Sequence, residues 1–185
     1  MTTAATKPLT ADDLLKLYSE GVRGELVQGE FRATMSAGVT HGKVVINVAG
    51  ELRSFIRPRR LGSLMGSDTG ILLERDPDTV REPDIAYISA ERMPIGAEIP
   101  GYSEVVPDLV VEVASPSDTL QQVEEKSRMW LGYGVRLVWT MHPSTRTVNV
   151  YAESGAGLTL TEEDVLDGGD VLPGFSWEVS DIFDV

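Results

Sequence analysis

Cysteine is absent from this chain of 185 residues. Disulfides, thiolate nucleophiles and cysteine-ligated zinc are excluded with it, and a reducing compartment suits such a composition. Histidine occurs only at His41 and His142, which argues against a multi-histidine zinc site. Basic residues are few beside acidic ones: 16 Lys and Arg against 29 Asp and Glu, a formal net charge of -13. That balance argues against general coating of nucleic acid, which needs a basic face. A confined basic groove remains compatible with it. Any anionic substrate must then be met through a metal ion or a local cluster of arginines and lysines. Long apolar runs are also missing. None approaches the roughly 20 residues needed to cross a bilayer, and the opening MTTAATKPLTADD lacks the apolar core of a signal peptide. The chain therefore reads as cytoplasmic, with no membrane partner.

What is present is an ordinary globular composition, 42% hydrophobic and 24% charged. Repeats, low-complexity tracts and linkers are not evident, so residues 1–185 read as a single domain with a substantial core. Thr10, with Asp13 three residues on, predicts a capped helix carrying Leu14, Leu15 and Tyr18 on one face. GELVQGEFRAT predicts a hairpin turning at Gln28-Gly29. Thr40 is expected to open a second helix, with Val45, Val48, Leu52 and Phe55/Ile56 at helical spacing and Pro58 limiting it. Strands are expected within Leu64–Leu73, broken by GSDTG, and over Asp84–Ser89, Leu109–Val113, Arg136–Met141 and Thr147–Tyr151. A third helix is expected to start after Ser117 or Asp118 and to run to about Gly132. This order predicts an α/β (α+β) fold with a central mixed β-sheet flanked by helices.

One residue does not fit its surroundings. PDLVVEVASPSD is nearly continuously apolar through Val113, as in a strand covered on both faces, yet Glu112 lies inside it. A buried carboxylate is costly unless it is paired, hydrogen-bonded or bound to a metal. Side chains alternate along a strand, so Glu112 points with Asp108 and Val110, away from Leu109, Val111 and Val113. Asp84 starts the preceding strand directly after Pro83. Two acids on neighbouring strands repel unless a proton or a cation lies between them, and magnesium is commonly held by one or two carboxylates.

Glu82-Pro83-Asp84, then Pro107 to Asp118, then Glu125-Lys126 and Gly134 to Trp139 resemble a bacterial family of restriction-endonuclease-like proteins. That family, long filed as a domain of unknown function, belongs to the PD-(D/E)XK nuclease superfamily. Gly24 to Glu30 and His41 match its N-terminal pattern, and the likeness spans Leu9 to about Phe183. The resemblance implies a restriction-endonuclease-like fold and a metal-dependent endonuclease acting on nucleic acid, with DNA the expected substrate and a homodimer compatible with cutting two strands. It implies that Asp84 and Glu112 ligate Mg2+ or Mn2+, which activates water and polarises the phosphate. The superfamily places a lysine two residues after the second acid. Ala114 stands there, and Lys126 on the following helix takes the displaced position. On the same implication Glu25 adds a carboxylate to the metal's outer shell, and His41 meets phosphate at a helix N-terminus. Arg53, Arg57, Arg59 and Arg60 form the dense basic cluster expected to meet a nucleic-acid backbone.

Plainer assignments stand beside these. Asp84 can cap a turn, Glu112 can form a structural ion pair with Lys126, and the arginines can be a solvated helix end. Trp130 and Trp139 read as core. The alternative to an enzyme is a catalytically inactive nuclease-fold module acting in binding or assembly, which the missing lysine at Ala114 and the acidic charge both favour.

Overall fold

In a computed structural model, which describes residues 7–152 and 157–185, Thr10 and Asp13 cap each other at the start of α1 (Ala11–Ser19). The Thr10 hydroxyl accepts from the Asp13 N–H at 3.2 Å, and the Asp13 carboxylate accepts from the Thr10 N–H at 3.0 Å. Leu14 is fully buried, but its neighbour Leu15 is exposed, against expectation. Successive helical residues lie about 100° apart, so a narrow helix-to-sheet contact takes one of the two. Residues 1–6, part of the stretch read for a leader, lie outside the described residues.

The hairpin of β1 (Gly24–Val27) and β2 (Glu30–Ala33) turns at Gln28-Gly29, with φ of 51° and 77°. Two positive φ values in a two-residue loop match the right-handed twist of the strands. Gly29 is also required sterically, since a Cβ there would lie 2.4 Å from Pro8. Helix α2 (Val39–Arg59) starts one residue before Thr40, with Gly38 at the N-cap and no side-chain cap. Pro58 falls inside its last turn, and Arg60 ends it in the left-handed conformation.

β3 (Gly62–Gly66), β4 (Ile71–Glu74), β5 (Thr79–Arg81), β6 (Ile85–Ser89) and β7 (Leu109–Val113) follow. β5 is not foreseen by hydrophobic pattern: Val80 is its single apolar residue, and it pairs with β1 and β4 in a small sheet ordered β2-β1-β5-β4. Helix α3 (Leu120–Gly132) is capped by Thr119 rather than by Ser117 or Asp118. Thr119 and Gln122 form the reciprocal box, while Asp118 turns back to accept from the Ser115 N–H at 2.8 Å. β8 (Leu137–His142), β9 (Thr147–Ala152), β10 (Leu158–Leu160), β11 (Val165–Asp167), β12 (Ser176–Glu178) and α4 (Val179–Phe183) complete the described order.

The large sheet runs β10-β9-β8-β7-β6-β3, with β7 and β8 parallel and the other neighbours antiparallel. The fold is therefore α+β with a central mixed sheet flanked by helices. Leu109, Val111 and Val113 pack with Val44, Val48, Leu52 and Ile56 of α2 on one face. Val110 and Val138 pack with Trp130 of α3 on the other. The β6–β7 ladder pairs Ile85 with Val111. Continued by one residue, it sets Asp84 opposite Glu112.

The cap of α3 is testable by itself. Thr119→Ala should lower unfolding free energy by about 1 kcal/mol, and Thr119→Ser should retain most of it, in urea titrations followed by circular dichroism.

Candidate active site

Glu112 lies on β7 between β6 and β8, only 7% exposed. Both of its carboxylate oxygens are engaged by α3. Lys126 Nζ lies 2.7 Å from Oε2, and the Trp130 indole N–H donates to Oε1 at 2.8 Å. Lys126 and Trp130 are four residues apart, so one helix face carries both donors. Burial pushes the Glu112 carboxyl up; the Lys126 charge opposes this and the Asp84 charge adds to it. Burial pulls Lys126 down, but the charges of Glu112 and Glu25 and the hydrogen bond to Glu112 together outweigh it, and the ammonium is held above its ordinary value.

Asp84, at the entry to β6, accepts from the Val113 N–H at 2.8 Å through Oδ2. The same oxygen lies 3.2 Å from His41 Nε2 in the first turn of α2. This hydrogen bond raises the His41 pKa, with burial opposing it. His41, Asp84, Glu112, Ala114, Lys126 and Thr140 line a recess of about 150 Å³. The position where the superfamily's lysine is expected, Ala114, thus lines the same recess as Lys126.

A larger cleft of about 860 Å³ lies outside the recess. Glu25 borders it but faces Arg81, with Nε 3.1 Å from Oε2, and accepts from the Glu82 N–H at 2.8 Å. Glu82 also lines the cleft and accepts from the Tyr18 hydroxyl; burial raises its carboxyl above the usual range. Acids outnumber cations along this cleft: Glu25, Asp68, Glu82, Asp84 and Asp118 face Arg23 and Lys126.

The structure does not bring the arginine cluster to the cleft. Arg53, Arg57, Arg59 and Arg60 are exposed near the C-terminal end of α2. At 1.5 Å per residue, Arg53 stands about 18 Å along the axis from His41. Arg59 stacks on Phe55 instead, its guanidinium 4.1 Å from the ring centroid. Residues that sequence reasoning missed include Arg23, Arg81 and Trp130. Trp130 had a usable signal, its four-residue spacing from Lys126; Arg81 had none, because β5 was not foreseen.

The Uma2 family, described as "Putative restriction endonuclease", matches residues 11–180. The chain belongs to the Uma2 family. The resemblance drawn from its motifs is borne out by that match. Among solved structures, the chain is similar to a "putative nuclease belonging to DUF820" from Anabaena variabilis, at 20% identity and a TM-score of 0.80. The likeness covers 95% of this chain and 98% of that one, and it shows a shared fold. No curated protein matches the chain.

The donor set of this Uma2 chain fits a hard divalent cation with open coordination positions. Asp84 and Glu112 offer carboxylate oxygens from neighbouring strands into one recess, and Asp84 Oδ1 takes no hydrogen bond from the described residues. Among the described residues no group of three or more His, Asp or Glu side chains is placed to hold a metal ion. Any ion held there keeps water or substrate among its ligands.

Two outcomes follow for the metal-free protein. Lys126→Met strands a buried carboxylate; with Lys126 at 31% side-chain exposure the cost should be about 2 kcal/mol, below the roughly 3–5 kcal/mol of a fully buried pair. Adding Glu112→Gln should recover part of that loss in urea titrations. The raised His41 pKa means that the folded state binds the proton more tightly. Its contribution is complete below the ordinary value of 6.5 and is lost as pH rises through the higher folded value. With chelator present, the stability advantage of wild type over His41→Asn should therefore shrink as pH rises above about 6.5.

Proposed function

We propose that this chain is a metal-dependent endonuclease that hydrolyses DNA phosphodiester bonds. The observation that carries the reading is the meeting of Asp84, Glu112 and Lys126 in one recess that shares His41, Asp84 and Lys126 with a larger cleft. The family's description, "Putative restriction endonuclease", and the Anabaena protein's, "putative nuclease", support it.

Asp84 and Glu112 are the residues to hold magnesium or manganese, which when bound supplies an activated water and a polarised phosphate. The chain's own groups do the rest. Lys126 brings an ammonium to the edge of the recess, where it stabilises the charge that develops on the phosphoryl oxygens. His41, in the first turn of α2, stands beside free backbone amides that favour an anion. Asp84 is held by the Val113 amide, so its carboxylate is oriented before substrate arrives. The acid excess of the cleft makes substrate entry depend on a cation, which accords with a net charge of -13.

A second reading has one observation in its favour. Both Glu112 oxygens are already satisfied by Lys126 and Trp130, so the buried pair is electrically complete without a cation. That is what a nuclease-fold module serving binding or assembly requires.

Purified protein should be incubated with plasmid, linear duplex and single-stranded DNA in magnesium or manganese, beside Asp84→Ala, Glu112→Ala and Lys126→Ala. Wild type should cut the duplex substrates, and each variant should lose about 100-fold or more in rate. Equal cutting by all four proteins would sink the enzyme reading. No cutting by any, in wild-type protein that is folded, favours the module.

A further inference from the structure

We infer that Trp130 is a positioning residue that keeps Glu112 fixed while Lys126 exchanges its hold on the same carboxylate for an incoming divalent cation. The inference rests on the metal-site reading above and deepens it. Its basis is the unequal character of the two donors. Trp130 is fully buried among Val110, Val135 and Val138, and its indole N–H points at Oε1 from 2.8 Å. The indole cannot leave that place without vacating the core on this face of the sheet. Lys126 holds Oε2 from 2.7 Å, but its side chain is 31% exposed and flexible, with water available to receive the ammonium. One oxygen of the carboxylate is thus held by a rigid neutral donor and the other by a mobile charged one.

The helix that carries both donors is itself pinned between them. The Ser127 and Thr140 hydroxyls, each 1% exposed, are hydrogen-bonded at 3.0 Å, and Thr140 is the β8 partner of Glu112 in the β7–β8 ladder. This cross-link fixes α3 to the sheet beside Glu112, so that Lys126 can swing without carrying Trp130 along. A neutral donor suits the holding role. A second cation at Oε1 would repel the incoming metal, whereas an indole N–H orients the carboxylate and leaves its charge available.

The roles predict opposite signs. By calorimetry with Mn2+, Trp130→Phe should weaken metal binding about 10-fold or more, the usual consequence of losing an outer-shell partner of a ligand. Lys126→Met should bind Mn2+ at least as tightly as wild type, because it removes the competing ammonium. Val138→Ala, in the same core layer but at a side chain that makes no hydrogen bond to Glu112, should lower the melting temperature and leave the Mn2+ affinity unchanged. A second measurement needs no variant protein beyond signal assignment. In a Mg2+ titration followed by 1H–15N NMR, the Trp130 indole resonance, one of three in this chain, should shift in step with metal saturation and stay protected from solvent exchange. If wild type binds Mn2+ and Trp130→Phe binds it equally well, or if the Trp130 indole ignores Mg2+ or loses protection, the inference is overturned alone. If wild type takes up neither ion, the metal reading falls and the inference with it.

Discussion

A carboxylate buried in the middle strand of the sheet sets the terms for everything around it. Transfer of an ion from water into a protein interior costs several kcal/mol even after relaxation. Glu112 meets that cost with one charged and one neutral donor, and both come from the helix that crosses from β7 to β8. The placement of α3 is therefore not free. It must lie close enough for the Trp130 indole to reach Oε1, which seats that ring in the apolar layer over Val110 and Val138. Packing and polar satisfaction demand the same helix position, the kind of agreement between levels that specifies one structure.

The two faces of the sheet divide the work. Leu109, Val111 and Val113 bury against α2 and the C-terminal segment, including Phe175 and Ile182, in the larger core cluster. The opposite face of the same strand presents Val110 to the core and Glu112 to the recess. Strand alternation thus lets five residues support both a core and a site. Asp84 joins through register rather than through sequence proximity, since the antiparallel β6–β7 ladder carries it to the position opposite Glu112. The Val113 amide then holds it, so the strand that carries one acid also orients the other.

The period-2 and period-3.6 patterns made the main architecture legible: the Gln28-Gly29 hairpin, the α2 stripe, the buried β7 and the mixed central sheet. Boundaries were legible only where one residue type had no rival. Thr10 stood alone as a cap, whereas Ser117, Asp118 and Thr119 are adjacent capping residues, and the partner three residues on, Gln122, decides for Thr119. β5 escaped notice because it is three residues long and depends on pairing with β1 and β4, a non-local fact. The neighbouring acids were legible because alternation along strands maps spacing to direction, whereas Lys126 was singled out through the family resemblance. The arginines stood out by local density, four cations within eight residues, and only the structure shows that α2 carries them along its axis away from His41. Trp130 was read as core, which it is, but an indole has an apolar body and a donor edge, and only the four-residue spacing from Lys126 pointed to the second.

The displacement of the lysine from the strand to the helix has a physical consequence. A lysine at position 114 would share the face of Glu112, two residues along β7, and would reach the carboxylate along the strand. Lys126 reaches the carboxylate from α3 instead, and the uncharged Ala114 lines the same recess. Both partners of Glu112 then depend on one helix, whose start is set by Thr119 and whose middle is pinned by the Ser127–Thr140 bond. The arrangement gathers the charge balance of the recess into a single rigid element. Any change that tilts α3 moves the roots of both side chains together, while only the lysine, on its long stem, can leave the carboxylate by itself.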